Sequence, residues 1–165
     1  FSNEEVQKMV NHSLECMPKE RLDELVQKYG SIEKYKEHLA SGFTNEQATA
    51  DILKWYGSKE KAMEAIMQST GDPKEIEREQ DKNDKIHKQF VVAKETNNAD
   101  MAHSAVEMLA ENYKTMFAVD NARNILLDLA NEYSSNEKLA EIMDKQYGAG
   151  CAEYIARAIK FYYGI

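Results

Sequence analysis

Residues 133–163, YSSNEKLAEIMDKQYGAGCAEYIARAIKFYY, constrain the fold more than any other stretch of the chain. They read as helix, glycine break, helix. Ser134 with Glu137 has the spacing of a capping box, in which two side chains reciprocally satisfy free amides at a helix start. Leu139, Ile142 and Met143 then recur at helical spacing. Gly148-Ala149-Gly150 ends that helix, since glycine takes left-handed geometry without steric cost. The last helix carries Ala152, Ile155, Ala158, Ile159 and Tyr162 on one face. With two prolines, seven glycines and few β-branched runs, the whole chain reads as all-α.

The same signals recur from the start of the chain. Ser2 with Glu5 caps a first helix whose apolar face is Val6, Met9, Val10 and Leu14. Pro18 opens a second helix, with Leu22, Leu25 and Val26 inward and Gly30 at its end. Ser31 starts a third, carrying Ile32, Tyr35 and Leu39 as far as Gly42. Phe43, Thr44 and Gln47 predict a staple and capping box for a fourth, through Ala48, Ile52, Trp55 and Tyr56. After Gly57-Ser58 a fifth buries Ala62, Ile66 and Met67. Asp72-Pro73 begins the longest helix, to about Ala93. Its middle, from Glu77 to Lys85, has no apolar residue and reads as a solvated face, leaving Ile76, Ile86, Phe90 and Ala93 to be buried. Asn97-Asn98-Ala99 turns the chain. A seventh helix from Asp100 presents Met101, Ala105, Met108, Leu109, Tyr113, Met116 and Phe117. Asp120 is expected to cap an eighth, with Ile125, Leu126, Leu129 and Tyr133.

Two corners echo each other. Tyr29-Gly30-Ser31-Ile32-Glu33-Lys34 returns 27 residues later as Tyr56-Gly57-Ser58-Lys59-Glu60-Lys61. Each places an aromatic before a glycine that ends one helix and a serine that caps the next. A duplicated hairpin is one reading; two copies are too few for a solenoid.

Charge and spacing exclude several function classes. A net charge of −8 argues against this chain itself gripping nucleic acid, which takes a basic face. No apolar run approaches the roughly 20 residues of a membrane span, so no membrane partner is expected. Cys16 and Cys151 lie far apart without metal spacing, and a reducing, cytoplasmic compartment is the simplest home. The start at Phe1 suggests a fragment of something longer. Asn11-His12-Ser13 fits a glycosylation sequon, a tripeptide common by chance. Asp84-x-x-His87 and Asp100-x-x-His103 look like the paired motifs of di-metal bundles. Measured from a turn at Asn98, however, the two histidines fall roughly 9 Å out of register at about 1.5 Å rise per residue. Surface positions are the expectation for both, no metal or other cofactor is expected, and nothing argues for catalysis.

Tyr133, Asn136-Glu137-Lys138-Leu139, Asp144, Gly150, Ala152, Tyr154 and Ala158-Ile159 resemble the closing segment of the TipAS family. These are the antibiotic-recognition domains attached to MerR-type transcription activators, written Y-x-x-D-x-R-F, then G-L-A-x-[FY]-x-x-x-A-I. Asn136, Leu139 and Cys151 depart from that pattern. The family's W-G-[ND]-[ST]-x-x-[YF] corner is similar to Trp55–Ser58. The resemblance covers residues 43–165 and leaves residues 1–42 as an N-terminal helical extension. It implies a globin-like multi-helix bundle that binds a small-molecule or peptide antibiotic. It further implies DNA contact only through an N-terminal winged-helix domain absent from this sequence, and leaves a homodimer open for the full-length protein. The family's helix start bears a cysteine in a D-C-x-x-E setting, which thiopeptide antibiotics alkylate. Here Asn121 follows Asp120 at that place, Asn124 stands for the glutamate, and Ala118 lies near the place of a histidine. An amide is no nucleophile, so the resemblance implies non-covalent binding.

A stripe of methionines and aromatics is, by default, core. Its richness nonetheless suggests that Trp55, Tyr56, Tyr113, Met116, Phe117 and Tyr133 line one apolar cleft, with Asp120, Asn121 and Asn124 at its mouth. Aromatics with polar tips and soft methionines suit varied bulky ligands. The expectation is a drug-sensing domain of a MerR-type regulator. A helical protein–protein interaction module is the alternative from another class, and a small haem or metal protein comes third.

Overall fold

The computed structural model describes residues 1–69 and 72–165. Among the described residues it contains ten α-helices and no strand. They are α1 (Asn3–Glu15), α2 (Lys19–Tyr29), α3 (Ile32–Thr44), α4 (Glu46–Tyr56), α5 (Lys59–Gln68), α6 (Pro73–Glu95), α7 (Ala99–Phe117), α8 (Arg123–Ser135), α9 (Glu137–Tyr147) and α10 (Cys151–Tyr162). The all-α reading holds. No helix among the described residues is long and apolar enough to cross a membrane. The chain forms two compact units, Phe1–Ile76 and Glu77–Ile165.

In the first unit, α1 packs on α3 and α5, and successive helices from α2 to α5 pair with one another. Ser2 and Glu5 form the expected capping box. Val6, Met9 and Val10 are buried together with Tyr35 and Ala62, while Leu14 and the inward face of α2 are half-buried. The two echoed corners have the same build. Gly30 and Gly57 end their helices in left-handed geometry, and Ser31 and Ser58 each accept an amide, from Lys34 and Lys61 respectively.

The second unit is organised around α10, which packs most extensively on α8 and also against α7 and α9. Ala130, Ala152 and Ala156 have at most 1% exposure, so two helices meet there through side chains small enough for close approach. Phe90, Val106, Leu109, Leu126, Ile155 and Ile159 fill the interior. Gly148 and Gly150, at φ 119° and 77°, make the break that the sequence announces.

Several boundaries and faces differ from expectation. Asn136, not Ser134, caps α9: α8 runs on to Ser135, and the Asn136 Oδ1 accepts the Leu139 amide at 3.2 Å. Asn45 likewise caps α4 in place of Thr44, because α3 continues past Gly42 to Thr44 and the Asn45 Oδ1 takes the Ala48 amide. In both cases the preceding helix runs on through the hydroxyl residue, and the asparagine at its end takes the free helix amide. Met67, Ile76, Met108 and Ile142 are exposed, the last at 60%. In α10, Ala156 is buried where Ala158 is only half-buried.

Candidate ligand-recognition site

The α7–α8 corner is held by small buried plugs. Ala118 ends α7 in left-handed geometry at φ 51°, its amide bonded to the Lys114 carbonyl. Val119 and Ala122 are buried, and between them Asp120 and Asn121 are exposed. Asp120 is not the helix cap. Helix α8 begins at Arg123, three residues on, and Asn121 meets its start, its Oδ1 accepting the Arg123 amide at 2.8 Å. Such an Asx turn satisfies one of the free amides at a helix N-terminus. The Arg123 guanidinium lies 5.8 Å from the centre of the Tyr163 ring.

One turn earlier, Tyr113 and Phe117 stand at i, i+4 spacing and meet edge to face, with ring centres 5.5 Å apart. Asn112, buried on the same turn, donates its side-chain amide to the Met116 sulfur at 3.3 Å. Tyr113, Met116, Phe117 and Asn124 are half-buried. Burial pushes the Tyr113 hydroxyl up from its ordinary pKa, so it stays a neutral donor. Tyr133 on α8 is 5% exposed, and its polar tip is already engaged.

That engagement corrects the expectation for His87. It is not a surface histidine but 2% exposed, among the most deeply buried side chains of the molecule. Its Nδ1 lies 2.7 Å from the Asn83 carbonyl and its Nε2 3.2 Å from the Tyr133 hydroxyl. The Tyr147 ring stacks on the imidazole, centres 5.2 Å apart and planes 25° from parallel. Tyr147 in turn donates its hydroxyl to Asp84 at 2.7 Å, and Lys88 pairs with the other Asp84 oxygen. These contacts hold Asp84 below the usual carboxylate range. Burial lowers the His87 pKa, against the opposing pull of the Asn83 carbonyl and the Asp84 charge. His103 does lie at the surface, facing Glu107 at 3.4 Å and the Tyr162 ring. Among the described residues, no group of three or more His, Cys, Asp or Glu side chains could hold a metal ion.

Sequence reasoning missed the roles of His87 and Tyr147. The clue for Tyr147 was present: like Tyr29 and Tyr56, it directly precedes a glycine that ends a helix. Nothing local marks His87, whose burial comes from partners 46 and more residues away.

The nine residues singled out from the sequence divide between the units. Trp55 and Tyr56 close α4 in the first, both half-buried, with the Tyr56 hydroxyl pushed up in pKa by burial. Tyr113, Met116, Phe117, Asp120, Asn121, Asn124 and Tyr133 belong to the second, gathered on α7, the corner and α8.

A model of the TipAS antibiotic-recognition domain matches residues 48–162, from α4 to α10. The chain belongs to the TipAS family, whose members are ligand-binding regulatory domains and not a known enzyme family. No curated protein and no solved structure gives a significant match.

Proposed function

We propose that the chain is the effector-sensing domain of a MerR-type transcriptional regulator and binds a bulky, amphipathic, antibiotic-like compound without a covalent bond. The observation that carries this reading is the α7–α8 corner in a TipAS-family chain. There the half-buried Tyr113–Phe117 pair and Met116 sit beside the exposed polar pair Asp120 and Asn121. Edge-to-face aromatics and a polarisable sulfur supply apolar contact that tolerates varied shapes. Asp120, Asn121 and Asn124 supply the polar contacts that fix orientation. Trp55 and Tyr56 are proposed as ligand contacts of the first unit in their own right.

Binding would shift the balance between conformations of the domain and so bias an attached DNA-binding dimer. In this reading the domain is not an enzyme, needs no cofactor and works in the cytoplasm. DNA is reached through a winged-helix segment outside this sequence, and the TipAS-like fold, globin-like in its packing, follows residues 1–42 as an extension. Titration of the chain with a panel of amphipathic antibiotics, read by calorimetry, tests it. Saturable one-to-one binding supports the proposal; heat of dilution alone across the panel removes it. One observation favours a second reading, a protein-interaction module: Phe161 near the end of α10 is 83% exposed. A partner helix seated there would make binding depend on Phe161 and leave Tyr113 and Phe117 neutral.

A further inference from the structure

Helices α6, α8 and α9 of the second unit meet in one polar cluster whose histidine the proposed function does not use. Its centre is His87 of α6. A carbonyl oxygen can only accept, so the 2.7 Å contact with Asn83 O places a hydrogen on Nδ1. In the neutral ring Nε2 is then an acceptor, and Tyr133 donates its O–H to it across 3.2 Å. Tyr133 is also one of the nine residues singled out from the sequence for the ligand cleft. Burial is the largest reason that the Tyr133 hydroxyl resists ionisation.

We infer that His87 is a positioning residue for ligand recognition: its neutral Nδ1–H form accepts the Tyr133 hydroxyl on Nε2 and so fixes that ring, and protonation of His87 forces the hydrogen bond to reverse. This deepens the ligand-recognition reading above and rests on it. A proton added at Nε2 turns the acceptor into a donor. The Tyr133 O–H, which points at that nitrogen, must then swing away inside a site where the tyrosine is 5% exposed.

The surroundings do not welcome the cation. From its own helix His87 faces Asp84, whose charge is in turn paired by Lys88; from α8 it faces Tyr133 and from α9 Tyr147. Farther off, Tyr113 of α7 and Cys151 of α10 act electrostatically on Tyr133, and Asp144 of α9 and Lys94 of α6 act on Cys151. The two acids already hold other donors. Asp84 takes the Tyr147 hydroxyl on Oδ1 and Lys88 on Oδ2, and Asp144 Oδ1 takes the Ala152 amide at 3.0 Å. Charging His87 therefore finds neither acid free to accept its new proton, and the change falls on the Tyr133 hydroxyl of α8.

The test uses the full chain and ethidium, an amphipathic aromatic cation whose charge does not change between pH 5.5 and 7.5. Fluorescence titration of the wild type should give a Kd that weakens from pH 7.5 to 5.5 as His87 begins to charge, by at most about fivefold, the worth of one hydrogen bond. His87→Gln, which does not titrate, and Tyr133→Phe, which lacks the hydroxyl, should each bind equally at the two pH values. Imidazole nitrogen shifts at pH 7.5 should show the Nδ1–H tautomer for His87. Should His87→Gln lose its helical circular dichroism, Tyr133→Phe, one oxygen smaller, carries the comparison. A wild-type pH dependence that survives in the variants, pH-independent wild-type binding, or an Nε2–H tautomer overturns the inference while leaving the recognition reading standing. No ethidium binding by the wild type at pH 7.5 counts against recognition itself, and this inference falls with it.

Discussion

Gly30 and Gly57 hold nearly the same backbone conformation, φ 95° and ψ −27° against φ 83° and ψ −22°, at equivalent places in two successive helix pairs. The residues after them agree as well: Ser31 and Ser58 are both extended, at φ −161° and −156°, and each accepts an amide at 3.2 Å. The repeated six-residue sequence thus has a repeated geometry.

The glycines predict matched costs. A Cβ at Gly57 would meet nothing within 4 Å, and one at Gly30 would make only ordinary contact with Lys34 Cδ at 3.7 Å. Crowding is excluded at both, so what remains is the left-handed backbone, at about 1–2 kcal/mol for a residue with a Cβ. Gly30→Ala and Gly57→Ala should therefore destabilise equally in chemical denaturation. Ser31→Ala and Ser58→Ala should each cost about 1 kcal/mol through the lost cap. A cost confined to one corner would show that the likeness is of shape and not of energetics.

Stability should depend on pH through His87. Burial lowers its folded pKa, so the unfolded chain binds the proton first. The contribution is complete above the ordinary imidazole value of about 6.5 and is lost as pH falls below it towards the folded value. The slope can reach at most about 1.4 kcal/mol per pH unit, the share of one proton. Glu5, held at about 2 by the Ser2 backbone amide and by Lys59, acts in a different window: its contribution is present above the carboxylate range and disappears only in strong acid. Denaturation series between pH 7.5 and 5.5 on wild type and His87→Gln separate the two. Equal slopes would assign the effect to other groups.

What was legible in the sequence was what neighbours decide. Ser2 with Glu5, Gly30 before Ser31, and Gly57 before Ser58 are settled within four residues, and the structure has them as read. Cap competition was harder: Ser134 and Asn136, or Thr44 and Asn45, lie within one turn, and the winner depends on how far the preceding helix runs. Burial set by distant packing was not legible at all. His87 has charged neighbours at 84, 85 and 88, the pattern of a solvated face, yet Tyr133 and Tyr147 cover it. Of the site, the sequence offered the right kinds of side chain on α7 and at the corner. It could not show that Tyr133 has its hydroxyl already committed.

Ligand binding should be sensitive to the exposed aromatic edges of both units. Phe117→Ala removes the ring that meets Tyr113 and should weaken binding by about 1–3 kcal/mol where that ring packs fully on the ligand. Trp55→Ala is expected to cost about as much, and quenching of Trp55, the single tryptophan, is the direct readout in the wild type. If both variants bind normally with unchanged helical circular dichroism, the recognition surface lies elsewhere on the chain.

The last prediction concerns position 121. Cysteine at a helix start is activated because the aligned amides favour its thiolate. Asn121 occupies such a place, two residues ahead of an amide that its own Oδ1 accepts at 2.8 Å, but its amide group cannot attack an electrophile. Of the two native thiols, Cys151 is 1% exposed and burial raises its pKa, which makes it a poor nucleophile. Cys16 is half-buried, with its sulfur 3.4 Å from His12 Nε2 and 3.3 Å from the Ser69 carbonyl. A dehydroalanine-bearing peptide should therefore bind the wild type reversibly, and intact-mass spectrometry after incubation should show the unmodified chain. Asn121→Cys exchanges the Asx-turn oxygen for a thiol at an exposed helix start and should acquire one adduct. Peptide mapping distinguishes the ways this can fail. An adduct on wild-type Cys151 would mean that the α9–α10 break opens readily in solution, and an unmodified Asn121→Cys would mean that the reactive position of the family does not fall on residue 121 of this chain.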